Sequence, residues 1–397
     1  MSRILFLANL VPFPADNGGK IFTKSVLMSL SKDHIIDLVC FYENENIEDA
    51  KKELEHYCVS ITFVKAKITT KDNYKAMIAK AFVSLFSKKP LAVLKFENRQ
   101  MKKELRKRLS CNKYDYVFFN ILSMFVYSDF VKKIDPRIVS VLYEQNCESL
   151  IYERMAKNTS NFLKRLFIKN EKRKLSTFEK KSIKKADKLI FLSNEDKLAS
   201  GVNRDSFVIP IGLNSNFVVK KNSFDGHVLR MLFVGTLTWA PNNDGLVWFL
   251  ENVMPFCPSD RCSLTIVGKN PSDKVRELSS SFDNVSLLGY VEDLEEIYKS
   301  TDVAVVPLFV GSGQRVKILE AFARGFPVIS TSVGVEGLTY SDGYSILIAD
   351  NPNTFIDKIN ECYRTDKLYQ VGTNSRKVFL ENYSSEVISK KLGEVFK

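Results

Sequence analysis

A rhythm of short apolar runs constrains this chain most. Runs at 4–8, 35–41, 60–64, 116–119, 138–142 and 189–193 alternate with stretches of helical periodicity. Such alternation predicts a parallel sheet whose strands are joined by crossover helices. A second series follows at 231–235, 264–268, 285–288, 303–307 and 327–331. Between the two lies NSNFVVKKNSFDGH (214–227), polar and glycine-containing in the manner of a linker. The expected organisation is therefore a first α/β domain over 1–213, a linker over 214–227 and a second α/β domain from 228. Open parallel sheets bind ligands at the carboxyl ends of their strands, so function is sought there.

One such end stands out. In VVPLFVGSGQRVKILE (305–320) a buried apolar strand runs into a turn bracketed by Gly311, Ser312 and Gly313, then into a helix opening with Arg315 and Lys317. The first N–H groups of a helix lack internal partners and lie at the positive end of its dipole, so a glycine turn that admits a ligand makes a phosphate cradle. Glu320 lies six residues beyond Gln314, roughly 9 Å along a helix axis. A diphosphate at the helix start would leave a ribose near that carboxylate, which accepts strong charge-assisted hydrogen bonds from hydroxyls. The competing reading is an ordinary strand, turn and helix with surface charges, because glycine-rich strand-to-helix turns are common.

The same run resembles the nucleotide-sugar motif of the retaining family-four glycosyltransferases, within the glycosyl transferases group 1. That family has the GT-B fold, two Rossmann-like domains whose parallel sheets face a cleft. Its pattern A-x-A-x-G-x-P-V after a glutamate is matched by Glu320, Ala321, Ala323, Gly325, Pro327 and Val328. The likeness extends upstream through FVGTLTWAPNNDG (233–245), LTIVG (264–268), VSLLGYVEDL (285–294) and DVAVVP (302–307). It reaches PFPADNGG (12–19) and IGLNSNF (211–217), and so covers most of the chain. The resemblance implies a second domain over 228–374 that binds the donor, and a final segment, 375–397, that crosses back to the first domain.

It also implies site residues. Gly235, Trp239, Asn242, Gly268, Gly311, Ser312, Gly313 and Glu320 would surround the donor, with Tyr290 and Val291 beside the nucleobase through their backbone. Gly18 and Gly19 would approach the donor phosphates or the acceptor, unless they merely permit a tight turn. YEQNCESLIYERM (143–155) resembles the family stretch H-N-x-E, with Gln145 in the histidine position, Asn146 and Glu148 retained, and Arg154 shortly after. Glu144 or Glu148 would orient an acceptor hydroxyl, while Asn146 is equally suited to cap a helix. Two departures matter: Ser312 replaces the first glutamate of the family's pair, and Trp239 and Asn242 stand where basic residues usually follow the first strand of the second domain. Arg315 and Lys317 are expected to carry the diphosphate charge instead. No Asp-x-Asp is present, so a metal-bridged diphosphate is not expected, and neither is any cofactor beyond a UDP- or GDP-type donor.

Other classes have little raw material. The seven cysteines are scattered without zinc-site spacing and read as free thiols. His34, His56 and His227 are the only histidines, which disfavours a His-centred triad; all three read as non-catalytic. No apolar stretch approaches the ~18 residues that cross a bilayer, and MSRILFLANL is too short an apolar run for a signal peptide. A cytoplasmic protein is expected.

Charge divides unequally: residues 1–200 hold 38 Lys and Arg against 23 Asp and Glu, whereas 201–397 hold 20 against 23. The excess concentrates in 71–113 and 164–188, interleaved with Ile, Phe and Leu. A basic amphipathic helix containing Met77, Ile78, Phe82 and Leu85 can lie on an anionic membrane surface. Alternatively it packs its apolar face on its own domain. No nucleic-acid recognition motif is visible.

The expected activity is transfer of a hexose from a nucleoside diphosphate sugar to an acceptor hydroxyl with retention, on a glycan or lipid-linked acceptor in cell-envelope assembly. Arg315, Lys317, Asn146 and Glu148 are the candidate catalytic groups. Two alternatives are a non-catalytic GT-B subunit binding a glycan or partner, suggested by Ser312, and a sugar-nucleotide 2-epimerase, which the scarcity of histidine disfavours.

Overall fold

The computed structural model describes residues 1–397 apart from 67, 69–73, 158, 218–223, 225, 312 and 365. Much of the expected linker, and Ser312 among the candidate site residues, lie outside the described residues. The chain divides into two compact units, Met1–Ile211 with Ile388–Lys397, and Gly212–Val387.

The first unit is built on seven parallel strands: β1 (Arg3–Ala8), β2 (Ile35–Tyr42), β3 (Ser60–Lys65), β4 (Tyr116–Phe119), β5 (Val139–Glu144), β6 (Lys188–Phe191) and β7 (Phe207–Val208). Their order is β3-β2-β1-β4-β5-β6-β7, with Phe119 opposite Leu142 where β4 meets β5. The expected runs coincide with β1 to β6, and the two-residue β7 had too short a signal to read. The crossover helices used below are α1 (Gly18–Leu30), α2 (Tyr74–Phe86), α3 (Glu148–Lys157), α4 (Phe162–Lys185) and α5 (Asn194–Ala199). Leu7, Val39, Phe119, Leu142 and Leu175 belong to one buried cluster, so α4 closes a face of the sheet. α2 departs from the packing alternative: Ser84 is its buried side chain among those described, whereas Ile78, Phe82 and Phe86 are exposed.

The second unit repeats the plan with six strands: β8 (Leu229–Val234), β9 (Cys262–Val267), β10 (Val285–Gly289), β11 (Val303–Val306), β12 (Val328–Ser330) and β13 (Leu347–Ile348). The order β10-β9-β8-β11-β12-β13 is again that of a doubly wound sheet, all parallel. Its helices include α6 (Ala240–Asn252), α7 (Val316–Ala323) and α8 (Lys367–Asn382), and α9 (Ser385–Val395) begins in it and runs into the first unit. Each unit ties its first strand with a buried aspartate at the amino edge. Arg3 Nε donates to Asp37 Oδ2 at 2.8 Å, and Arg230 Nε donates to Asp302 Oδ2 at 2.8 Å. Both carboxylates are buried and paired with a guanidinium, the arrangement that makes an interior charge tolerable.

The return to the first unit lies at Ile388 rather than at 375. α8 stays with the second unit because Gly372 lets it close on the backbone of Gly325, where a Cβ would come within 2.2 Å of a carbonyl oxygen. Arg376 of α8 also donates to the carbonyls of Ala323 and Ser215. After α9 the Phe396 ring sits 4.9 Å from Tyr116 and 5.0 Å from His34, giving His34 a packing role. All seven cysteines are free thiols.

Candidate functional site

In the second unit the carboxyl ends of β10, β9, β8 and β11 are neighbours, and most of the sequence-derived donor residues gather on this edge. Gly268 N donates to Gly289 O at 2.7 Å and Gly235 N to Val267 O at 2.9 Å, which brings the three strand ends into line. A Cβ on Gly268 would lie 2.1 Å from Gly235 O, so only glycine fits this close approach. Tyr290, just past β10, is exposed, and Lys269 Nζ lies 3.9 Å from its ring centroid as a cation–π pair. Val291 follows it, half-buried.

The basic groups converge beside Gly235. Lys317, in the first turn of α7, donates from Nζ to Asn242 Oδ1 at 2.9 Å, and Asn242 in turn donates to Thr236 O at 3.0 Å. A Cβ at Gly235 would stand 2.8 Å from both Lys317 Nζ and Asn242 Nδ2; the glycine makes the slot into which the ammonium fits. Thus α7 delivers a cation to the end of β8, where the sequence shows Trp239 and Asn242 in place of basic residues. Burial and, less strongly, the nearby Arg315 together lower the Lys317 pKa to about 7, against the opposing pull of Glu320.

Arg315 is the residue just before α7, with extended backbone, and not part of the helix as expected. Its guanidinium is buried, donates from Nη1 to Gly313 O at 2.8 Å and lies 6.0 Å from the Trp239 ring. Gly311 and Gly313 hold φ of 143° and 76°, which an L side chain resists, and a Cβ at Gly311 would lie 2.5 Å from Arg315 Nη2. The turn is therefore wrapped around the guanidinium. Gln314 Nε2 donates to Gly337 O at 2.8 Å, fixing the other side of the loop. Glu320 is one turn after Lys317 on α7; burial raises its pKa, against the pull of Arg324 and Lys317.

At the carboxyl edge of the first sheet the chemistry is acidic. Glu144 ends β5 fully buried, and among the described residues neither of its carboxylate oxygens has a hydrogen-bond partner. Burial, with Glu179, Glu148, Cys147 and Asp196 nearby, pushes it well above the usual carboxylate range. Glu148, the first residue of α3, is raised to about 7, chiefly by burial, with Lys95 pulling it down and Glu179 pushing it up. The turn between β5 and α3 is clamped from two helices. Glu179 of α4 accepts from Ser149 Oγ at 2.6 Å, and Asp196 of α5 accepts from Cys147 N at 3.2 Å. Burial raises the Glu179 pKa while the Ser149 hydroxyl and the N–H groups of Ser149 and Glu148 oppose it, so Glu179 serves the open start of α3. Gln145 Nε2 donates to Asn120 O at 2.6 Å.

Gly18 and Gly19 are the exposed first residues of α1, whose N-cap Asn17 accepts from Lys20 N at 3.2 Å. They adjoin a cavity of about 480 Å³ whose charged lining is Asp16, Glu43, Glu45 and Asp49 against the single Lys20. A charge of that sign suits a hydroxyl-bearing group better than a phosphate.

Sequence reasoning overlooked Glu179 and Lys95, whose charges add to burial in shifting Glu148. One signal was available for Glu179: α4 carries ten Lys and Arg and only two acids, Glu171 and Glu179. Acids so outnumbered are candidates for internal work.

With this geometry in view, the chain can be set beside known proteins. Residues 229–365 match the family model "Glycosyl transferases group 1". An uncharacterized 44.6 kDa protein in the cps region of Klebsiella pneumoniae is 28% identical over 405 residues, covering 98% of each chain. Among solved structures, Anabaena HepE in complex with UDP and glucose superposes with a TM-score of 0.69 at 14% identity, covering 100% of this chain and 99% of that one. Sucrose-phosphate synthase from Thermosynechococcus elongatus gives 0.70 at 16% identity, covering 99% and 98%. At such identities the structural likeness establishes the fold, a GT-B pair of Rossmann-like units.

Proposed function

Because the chain carries a glycosyl transferases group 1 domain at residues 229–365, we propose that it transfers a hexose from a nucleoside diphosphate sugar, UDP- or GDP-linked, to an acceptor hydroxyl with retention. The observation that carries this reading is the convergence of Lys317, Arg315 and the glycine strand ends on one edge of the six-stranded sheet. The leaving diphosphate gains negative charge in the transition state, and preorganised cations aimed at it accelerate transfer more than they tighten binding. Arg315 and Lys317 supply that charge without a metal ion. Glu320 holds the ribose, and the backbone at Tyr290 and Val291 meets the base. The diphosphate itself takes the acceptor proton on the face it leaves, so that Glu144, Glu148 and Asn146 need only orient the hydroxyl. The relative from a cps region supports a place in polysaccharide assembly. We take the acceptor as a glycan or lipid-linked saccharide, reached at the inner face of the cytoplasmic membrane.

Calorimetric titration with UDP and GDP tests the donor site. The wild-type chain should bind one of them, and Glu320→Ala should weaken that binding about tenfold, the loss of a charge-assisted pairing. Unchanged affinity in the variant refutes the ribose contact, and no binding of either nucleotide refutes the donor site.

A further inference from the structure

α2 is oriented against the ordinary rule for surface helices. An amphipathic helix normally turns its apolar stripe inward. In α2 the serine goes in and the phenylalanines go out: Ser84 is 0% exposed, Ile78 53%, Phe82 62% and Phe86 80%. Ser84 is held there by α4, since its Oγ donates to Glu171 Oε1 at 2.5 Å and Lys174 Nζ donates to its carbonyl. Phe82 and Phe86 stack edge to face at 5.3 Å, a pair of rings presented together to the outside.

α4 continues the same surface with charge. Both of its carboxylates, Glu171 and Glu179, are buried and engaged internally. Its outward stripe, at helical spacing, begins with the exposed Phe162 and Leu166 and goes on through Lys169, Arg173, Lys180 and Lys184. α2 contains no acidic residue. A face evolved only for solvation mixes both signs of charge and keeps aromatic rings in. This one has single-sign charge and protruding phenylalanines, and the two features complement an anionic, apolar-cored surface.

We propose that the outward faces of α2 and α4, latched together by Ser84, Glu171 and Lys174, form a docking surface for an anionic lipid bilayer, with Phe82, Phe86 and Phe162 entering the headgroup layer. This rests on the reading of a membrane-borne acceptor given above and names the surface that would meet the membrane. Binding is then reversible and salt-sensitive, because the helices lie on the membrane and do not span it. Among the described residues no helix is long and apolar enough to cross.

Flotation with vesicles tests the assignment. The full chain should float with phosphatidylcholine vesicles containing about one third phosphatidylglycerol and stay behind with pure phosphatidylcholine. Phe82→Ser with Phe86→Ser should lower the bound fraction about tenfold, and Lys169→Glu with Arg173→Glu should do likewise, since each apolar ring and each cation at the surface adds a measurable increment. Because all four side chains are exposed, the melting temperature should hold. Equal flotation with neutral vesicles, or full flotation of either variant, overturns the proposal. So does a dimer on size exclusion that the phenylalanine variant dissolves, since the face would then cover a second copy. Titration of the same preparations with UDP and GDP separates the two readings. Nucleotide binding without flotation removes the docking surface alone, and flotation without nucleotide binding removes the donor site alone.

Discussion

At the carboxyl edge of the first sheet burial raises a cluster of acids, and at the carboxyl edge of the second it lowers a lysine as well as raising Glu320. Both edges belong to sheets of the same winding, 3-2-1-4-5-6 in each unit's own count, with the first extended by β7. On the first, desolvation raises Glu144, Glu148 and Glu179. On the second it lowers Lys317. One physical effect, the cost of holding charge away from water, thus moves Glu148 up and Lys317 down to about 7. The scaffold supplies two similar shelves, and a few side chains decide that one is acidic and the other carries Arg315 and Lys317.

The sharpest way to break this contrast is to remove the cations from the basic edge. Arg315→Ala or Lys317→Ala should each lower donor turnover about 100-fold or more, the scale of losing one donor aimed at developing charge. Steady-state kinetics with a melting curve checks it, and near-normal turnover in both variants would remove the role assigned to them. A smaller effect is expected from Gly235→Ala, which leaves both cations present but crowds the Lys317 ammonium at 2.8 Å. Nucleotide affinity should fall about tenfold, the size of one displaced charged contact; an unchanged dissociation constant would mean that the slot does not position the lysine.

Protonation offers a finer comparison. A diphosphate beside Lys317 should raise the lowered pKa of the ammonium and draw a proton onto it, so binding near pH 7 should take up a fraction of a proton. Calorimetry in buffers of different ionisation enthalpy measures that uptake. Lys317→Met should abolish it, while Glu148→Gln should leave it intact.

The smallest effects are on stability, and they have opposite signs. Glu148 rises from 4.5 to about 7 on folding, so between those values the native chain holds the extra proton and stability falls as pH increases. Lys317 falls from 10.5 to about 7, so above about 7 the unfolded chain holds the extra proton and stability climbs with pH. Melting curves should show Glu148→Gln flattening the acid limb and Lys317→Met flattening the alkaline limb, each by about 2–4 °C. Interchanged limbs would show that the two groups have been assigned to the wrong environments.

Much of this edge was legible in the chain. VGSGQRVKILE shows a strand end, a glycine turn and a cationic helix start within one window, because each depends on neighbours close in sequence. The filling of the gap at Asn242 by Lys317 was not, since the two are 75 positions apart and meet only when β8 and β11 pair. The protonation of Glu148 was equally hidden. It depends chiefly on burial, and then on Lys95 and Glu179, which distant parts of the chain bring to the end of β5.

The amino-acid order by itself determined the two sheets, all their strands but the two-residue β7 and β13, and the glycine-bracketed turn, because periodicity and backbone freedom are local properties. Tertiary structure alone decided which acids lose water, which slot receives the Lys317 ammonium and which way the phenylalanines of α2 point. Desolvation and side-chain direction depend on whatever is packed alongside, and those neighbours come from distant parts of the chain.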